Sequence, residues 1–95
     1  MQTIIDLTAA ETVAIRAPHQ YNPKFISIKT QENILLGERE IGIILGKKSH
    51  MLRGAICQSG IVNPGWNGIL EPFFIVYGNW NISVGEKIAH LVIFS

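Results

Sequence analysis

The apolar segments of this sequence are short, and glycine, proline or polar residues separate them at close intervals. Four of these segments are rich in β-branched residues: FISIKT (residues 25–30), IGIILG (41–46), GAICQSGIV (54–62) and AHLVIFS (89–95). In the first, Ile26 and Ile28 alternate with Ser27 and Lys29, which is the two-residue period of a half-buried strand. A long helix does not fit such runs. The sequence therefore predicts an all-β domain of many short strands, arranged as a compact barrel or jelly roll.

Three further segments predict the connections between elements. The glycines in LLGERE (residues 35–40) and YGNWN (77–81) indicate tight connections between antiparallel strands. TAAET (8–12) predicts a short helical turn.

The length of the chain, 95 residues, supports one domain, which we expect to span residues 1–95. Its hydrophobic content is 47% and its charged content is 16%, which is a thin polar coat for a small monomer. We therefore expect part of the apolar surface to contact other chains.

Charge and cysteine content narrow the classes of partner. The formal net charge is +1 and the basic residues are scattered apart from the Lys47-Lys48 pair, so no surface for a nucleic acid polymer is predicted. The single Cys57 cannot form an internal disulfide and is expected to be a small buried hydrophobe. No secretory leader is recognisable, and no apolar run approaches the ~20 residues of a membrane helix. We expect a soluble cytoplasmic protein with no membrane partner.

The segment VNPGWNG (residues 62–68) predicts a rigid hairpin tip. Asn63 is biased towards extended backbone by the following proline, Pro64 fixes φ at the first corner, and Gly65 supplies the positive φ of a type II turn. A preformed turn can present backbone groups to a planar ligand without an ordering cost on binding. The same turn chemistry also fits a hairpin that binds nothing.

A longer stretch around this turn, GIVNPGWNG (residues 60–68), resembles the third motif of the dUTPase and dCTP deaminase superfamily. GEKIAHLVIF (85–94) is similar to the last-strand pattern of that family, in which glycine, an acid and a base precede Ile-Ala and usually Gln-Leu. ILGKKSHML (44–52) lies where the family has Arg-Ser, and IIDLTAA (4–10) is similar to the Asp-Leu of the first motif. The resemblance spans residues 6–94.

This resemblance implies a jelly-roll-like dUTPase fold, a distorted β-barrel or β-clip, in a homotrimer with nucleotide sites between neighbouring chains. It implies that the third-motif backbone reads the pyrimidine of dUTP, dUMP or dCTP, here at Ile61 and Val62. It implies further that Trp66 packs against deoxyribose and that Ser49, with Lys48 in place of the family arginine, contacts phosphate oxygens.

The family hairpin also carries an aspartate that orients the attacking water, with Mg²⁺ on the phosphates, and this chain has Asn63 there. A neutral amide cannot act as a general base near neutral pH. Loss of a general base lowers rates on the order of 10²–10⁴-fold. Two carboxylates remain as candidate substitutes: Asp6, the only aspartate in the chain, and Glu71, which otherwise reads as a solvent-facing residue before Pro72.

Other positions also depart from the family pattern. Lys48 keeps the charge of the family arginine but loses its bidentate fork. His50 follows the second-motif serine, where it either crowds the phosphates or lies on the surface. His90 stands where the family usually has glutamine. It is either a contact to the nucleotide or a structural residue of the strand. The zinc-independent dCTP deaminase branch has a glutamate after the hairpin, where the alignment gives Phe73 and a shift of two gives Glu71. No metal-ligand spacing is present, so zinc-dependent deamination is not supported.

Three hypotheses follow from the sequence. The first is a catalytically impaired trimeric member that at most binds a pyrimidine deoxynucleotide between subunits. The second is an active minimal dUTPase that forms dUMP and pyrophosphate with Mg²⁺, in which Asp6 or Glu71 positions the water. The third is a structural β-domain without a nucleotide site.

Overall fold

The computed structural model describes residues 2–16 and 22–95 of the chain. Within them it contains eleven strands and one helix of four residues. In chain order these elements are β1 Gln2–Thr8, β2 Val13–Ile15, β3 Lys24–Ser27, β4 Ile34–Leu35, β5 Ile41–Gly46, α1 Lys48–Met51, β6 Ala55–Cys57, β7 Gly60–Val62, β8 Asn67–Gly68, β9 Phe73–Val76, β10 Trp80–Ile82 and β11 Lys87–Phe94. The all-β prediction is confirmed.

The strands form four small sheets, and every pairing is antiparallel. The largest sheet has the order β1-β11-β5-β7, and the others are β3-β9-β6, β2-β10 and β4-β8. Because β11 lies between β1 and β5, the last strand of the chain joins the first strand to the middle of the sequence. This long-range pairing brings Asp6 directly opposite His90.

Alternation along the strands gives the four-stranded sheet two different faces. The inner face contributes buried side chains to the core, among them Leu7, Leu91 and Val62. These pack in one cluster with Phe74 and Trp80 from the other sheets. The opposite side, which we call the outer face, carries seven apolar residues that cross-strand pairing places together: Ile4, Ile41, Ile43, Leu45, Ile61, Val92 and Phe94.

Much of the outer face is open to solvent. Ile4 is 61% exposed and Ile61 is 69% exposed, while Leu45 and Phe94 are each about two-fifths exposed. Scattered apolar residues are normal on a protein surface, but a contiguous apolar sheet face marks a site of interaction. Part of the exposed apolar surface that the composition indicated therefore lies on the outer face, and Phe25, Ile56 and Phe73 expose a further part on the β3-β9-β6 sheet.

Several local predictions are wrong in the structure. The segment 8–12 forms no helical turn, because Thr8 ends β1 and Ala9 forms a β-bridge with Thr30. GAICQSGIV is two strands, β6 and β7, which belong to different sheets. The turns at 35–40 and 77–81 do connect strands, but β4 is not paired with β5, nor β9 with β10. Glycine signals the change of direction, but it does not say which strand each arm will pair with.

No helix in the described residues is long and apolar enough to cross a membrane.

Candidate functional site

The turn at Asn63 to Trp66, called the Asn63 turn below, has the predicted type II geometry. The backbone N–H of Trp66 donates to the carbonyl of Asn63 at 3.3 Å, and Gly65 has φ +81°. A type II turn requires a positive φ near this value at its third residue, which glycine adopts without strain. Pro64 and Gly65 therefore determine this turn locally.

The Asn63 turn is not the tip of a paired hairpin, and in this respect the prediction for residues 62–68 is wrong. The strand before it, β7, pairs with β5, and the strand after it, β8, pairs with β4. Two backbone hydrogen bonds attach it instead to the end of β4: Gly65 N–H donates to Gly37 O at 3.1 Å, and Leu36 N–H donates to Trp66 O at 2.8 Å. The turn is therefore supported from two sheets.

Trp66 is fixed on the shoulder of this turn. Its indole Nε1–H donates to the carbonyl of Gly68 at 3.1 Å, and the side chain remains 41% exposed. A tryptophan that is both anchored and exposed offers a flat apolar surface without the loss of rotamer freedom that a loose side chain would suffer on binding.

A cavity of about 400 Å³, called cavity A below, opens beside the Asn63 turn. This volume lies within the range of small-molecule sites. Its wall is mainly apolar, and two polar side chains, Asn63 and Glu71, reach it. The lining residues are Ile44, Ile61, Val62, Asn63, Trp66, Ile69, Leu70 and Glu71.

Cavity A brings together five of the residues that the sequence singled out: Ile61, Val62, Asn63, Trp66 and Glu71. Glu71 is exposed, as expected for a solvent-facing residue before Pro72. It also lines the same cavity as Asn63. An amide and a carboxylate on one apolar wall can together donate to and accept from a polar ligand.

The remaining site candidates lie elsewhere. Asp6 and His90 are on β1 and β11 and contact each other: Asp6 Oδ1 lies 3.0 Å from His90 Nδ1. Lys87 Nζ lies 3.1 Å from the other carboxylate oxygen. The hydrogen bonds from Lys87 and then His90 hold the pKa of Asp6 below its usual value. Asp6 is therefore an ionised carboxylate with one contact at each oxygen.

Lys48 and Ser49 begin helix α1 directly after β5, where both side chains are exposed. Neither lines cavity A of its own chain. A second cavity of about 380 Å³, called cavity B below, adjoins this end of β5 and is lined by Leu45, Gly46, Lys47, Met51, Ile56, Cys57 and Ser59.

His50 is buried, so the expectation that it lies on the surface is wrong. It is 4% exposed and bridges two elements. Its Nδ1 accepts from Trp80 Nε1–H at 3.2 Å, and its Nε2–H donates to Lys87 O at 2.9 Å. The imidazole ring of His50 and the indole ring of Trp80 also pack edge to face. His50 is therefore the residue that fixes α1 to β10 and β11.

Comparison with solved structures identifies the architecture. One similar structure is a mutant dUTPase from phage phi11 of S. aureus, in which the coordination of a structural Mg(II) ion was determined. It superposes on this chain with a TM-score of 0.78 at 16% sequence identity, and the alignment covers 99% of this chain and 90% of that one. The native EIAV dUTPase superposes with a TM-score of 0.78 at 21% identity, covering 100% and 88%. This chain has the dUTPase fold.

A further structure with the dUTPase fold contains a bound nucleotide analogue. It is a mutant dUTPase of Staphylococcus bacteriophage 80alpha with dUpNHpp, at a TM-score of 0.78 and 17% identity, covering 99% of this chain and 89% of that one. No protein-family model matches the sequence, and no curated protein sequence is significantly similar to it. At such identities the likeness establishes the fold, and activity has to be argued from the residues of this chain.

Within residues 2–16 and 22–95 there is no group of three or more His, Cys, Asp or Glu that could hold a metal ion. Asp6, the first-motif aspartate of the resemblance, already has both oxygens engaged by Lys87 and His90.

Sequence reasoning missed three residues of cavity A: Ile44, Ile69 and Leu70. Ile69 and Leu70 directly follow the motif glycine Gly68, so their position in sequence was a usable signal. Ile44 reaches the cavity only because β5 pairs with β7, where Ile44 lies opposite Gly60. No local pattern in the sequence reports that pairing.

Proposed function

We propose that this protein is a dUTPase-like homotrimer that binds a pyrimidine deoxynucleotide between subunits and hydrolyses it only weakly. The observation that carries the proposal is the Asn63 turn, a rigid type II turn with an anchored, exposed Trp66 beside cavity A. The apolar wall takes the planar base and sugar, and Asn63 and Glu71 supply polar contacts.

Weak hydrolysis follows from the chemistry of Asn63. The amide can hold a water or a sugar hydroxyl, but it has no basic site to accept a proton near neutral pH. Absence of this base is expected to lower the rate on the order of 10²–10⁴-fold relative to a site that has one.

The trimer is supported by two unlike apolar surfaces. One is the outer face of the four-stranded sheet. The other is the exposed side of β3-β9-β6, where Phe25 and Phe73 stack with ring centroids 6.2 Å apart beside Ile56 and Ile75. A closed ring needs two different surfaces that complement each other, whereas a two-fold dimer needs only one.

Mg²⁺ is expected to arrive with a triphosphate. This ion prefers phosphate oxygens and water and is usually held by only one or two protein carboxylates. We propose that Lys48 and Ser49 on α1 of one chain contact the phosphates of a nucleotide whose base lies in cavity A of the neighbouring chain. His90 is proposed as a further phosphate contact.

Calorimetry with dUpNHpp, dUMP and dCTP tests the binding proposal. We expect dUpNHpp to bind the wild type, and Trp66→Ala to weaken binding by about tenfold or more, because a stacked apolar contact of about 1.4 kcal/mol is lost. The matched control is Tyr77→Ala, since Tyr77 is equally exposed, at 40% against 41%, and lies outside cavity A. Absence of heat with every nucleotide at high micromolar protein would leave a structural β-domain as the better account.

A second candidate function is an active minimal dUTPase, which the presence of Glu71 in the wall of cavity A favours. In that case Glu71 would orient the water that Asn63 cannot activate. The Mg²⁺-dependent release of pyrophosphate from dUTP separates the two functions. A rate on the order of 1 s⁻¹ or faster that Glu71→Gln abolishes would support the active enzyme. A slow wild type that gains activity in Asn63→Asp would support the impaired site.

A further inference from the structure

Glu71 is the only ionisable residue among the described ones that line cavity A, and its carboxylate is free. Other glutamates of the chain are occupied: Glu32, Glu40 and Glu86 each accept a backbone N–H, at 2.7, 2.6 and 3.2 Å. In the part of the chain that the structure describes, Glu71 has neither a hydrogen bond nor an ion pair. Both of its oxygens are therefore open to a ligand in cavity A.

The other polar groups of cavity A do not distinguish a donor from an acceptor. Asn63 has an oxygen that accepts and a nitrogen that donates, and a half-turn of the amide exchanges them. Strand β7 is an edge strand, and its free side presents both N–H and C=O groups. The indole N–H of Trp66 is already bonded to the carbonyl of Gly68. Glu71, whose ionised carboxylate can only accept, is therefore the discriminating group of the wall.

Cytosine and uracil differ in what they can offer to such a group. The 4-position of cytosine carries an amino group, which donates, whereas the 4-position of uracil carries a carbonyl oxygen, which accepts. Pairing of a glutamate with the cytosine amino group is a recognised contact in base recognition. The one donor on the uracil edge, N3–H, lies between two carbonyl oxygens that a carboxylate repels. Of the two pyrimidines, cytosine is therefore the better match to cavity A.

We propose that Glu71 makes cavity A selective for cytosine over uracil by accepting a hydrogen bond from the 4-amino group of the base. This inference rests on the proposed function and names cytosine deoxynucleotides as the preferred ligands of that site. Glu71 is exposed, so water competes for the hydrogen bond. The preference is therefore expected to be about tenfold, the lower end of the range for a hydrogen bond to a charged group.

The test is calorimetry of the full chain with dCMP and with dUMP. The two ligands share sugar and phosphate, so the ratio of their Kd values isolates the contribution of the base. The wild type should bind dCMP about tenfold more tightly than dUMP. In Glu71→Gln the ratio should fall to about twofold or less, because an amide both donates and accepts. In Glu71→Lys it should reverse in favour of dUMP, because an ammonium only donates.

Two control variants separate the contact from other effects. Glu11 is exposed and lies outside cavity A, so Glu11→Gln makes the same change in net charge without touching the base. Its ratio should match that of the wild type. Trp66→Ala should weaken the binding of both nucleotides and leave the preference for dCMP, because an apolar contact does not distinguish an amino group from a carbonyl.

Wild-type Kd values that are equal for the two nucleotides, or lower for dUMP, would overturn the inference while leaving the proposed function standing. A ratio that stays the same in Glu71→Gln would do so too. Absence of binding by either nucleotide would overturn both, so the two failures are distinguishable. Circular dichroism reports whether each variant is folded. Should one Glu71 variant fail to fold, the wild-type ratio and the other variant decide.

Discussion

We expect the substitution of His50 by leucine to lower the free energy of unfolding more than a buried substitution that conserves side-chain volume usually does. The side chain is 4% exposed and serves two partners, accepting from Trp80 Nε1–H at 3.2 Å and donating to Lys87 O at 2.9 Å. Leucine fills nearly the same space, so the cavity contribution is small. It leaves the Trp80 donor, in a residue 2% exposed, and the Lys87 carbonyl without their partner.

Each buried polar group left unsatisfied costs about 1–3 kcal/mol. The Trp80 donor is fully buried and the Lys87 carbonyl is not, so we expect His50→Leu to lower the free energy of unfolding by about 2–4 kcal/mol. That is a large share of the 5–15 kcal/mol typical of a small domain. Urea denaturation followed by far-ultraviolet circular dichroism measures it without relying on tryptophan fluorescence.

A double-mutant cycle with Trp80→Phe separates the hydrogen bond from general packing. Trp80→Phe removes the donor that His50→Leu would otherwise leave unpaired. The double variant should therefore be less destabilised than the sum of the single variants, by about 1–2 kcal/mol. Additive effects within about 0.5 kcal/mol, or a His50→Leu variant as stable as the wild type, would refute the assignment of His50 as the link between α1 and the sheets.

Three further predictions concern single positions. Gly65→Ala should lower the free energy of unfolding by about 1–2 kcal/mol through its positive φ alone, since a Cβ there meets nothing within 4 Å. Gly65→Asn should cost less, and equal urea midpoints for wild type and Gly65→Ala would contradict the turn assignment. Burial raises the pKa of the Cys57 thiol to about 11, so its reaction with a thiol reagent at pH 8 should be roughly 100-fold slower folded than in urea. Equal rates would argue against a half-buried Cys57. The lowered pKa of Asp6 means that its ion pair contributes stability above pH 3.8, its ordinary value, and loses it as pH falls further. The difference in urea midpoint between wild type and Asp6→Asn should therefore shrink in acid, and a difference independent of pH would count against the Lys87 and His90 contacts.

The parts of the structure that could be predicted from sequence are those that local stereochemistry determines. Pro64 restricts φ and Gly65 permits a positive φ, so the type II turn follows from adjacent residues. Alternation in residues 25–30 likewise predicts a strand with alternate side chains buried; the burial is confirmed at Ile28, which is fully buried, but the strand is shorter than predicted, because β3 ends at Ser27. The all-β class follows from many such short segments taken together.

The parts that could not be predicted depend on pairing between distant segments. Asp6 and His90 are 84 positions apart in sequence, and only the register of β1 against β11 makes them neighbours. The burial of His50 on α1 depends in the same way on Trp80, which lies on β10, 30 positions further along the chain. Helix α1 has four residues, too few for a helical period to show in the sequence. Long-range register is a property of the whole fold, and no local pattern encodes it.

The most direct test of the central claim is a crystal structure of the protein with dUpNHpp. The account predicts a trimer in which the pyrimidine and sugar occupy cavity A against Trp66, with the phosphates directed towards Lys48, Ser49 and His90 of a neighbouring chain. A nucleotide bound away from the Asn63 turn, or a cavity A that stays empty at saturating ligand, would contradict it.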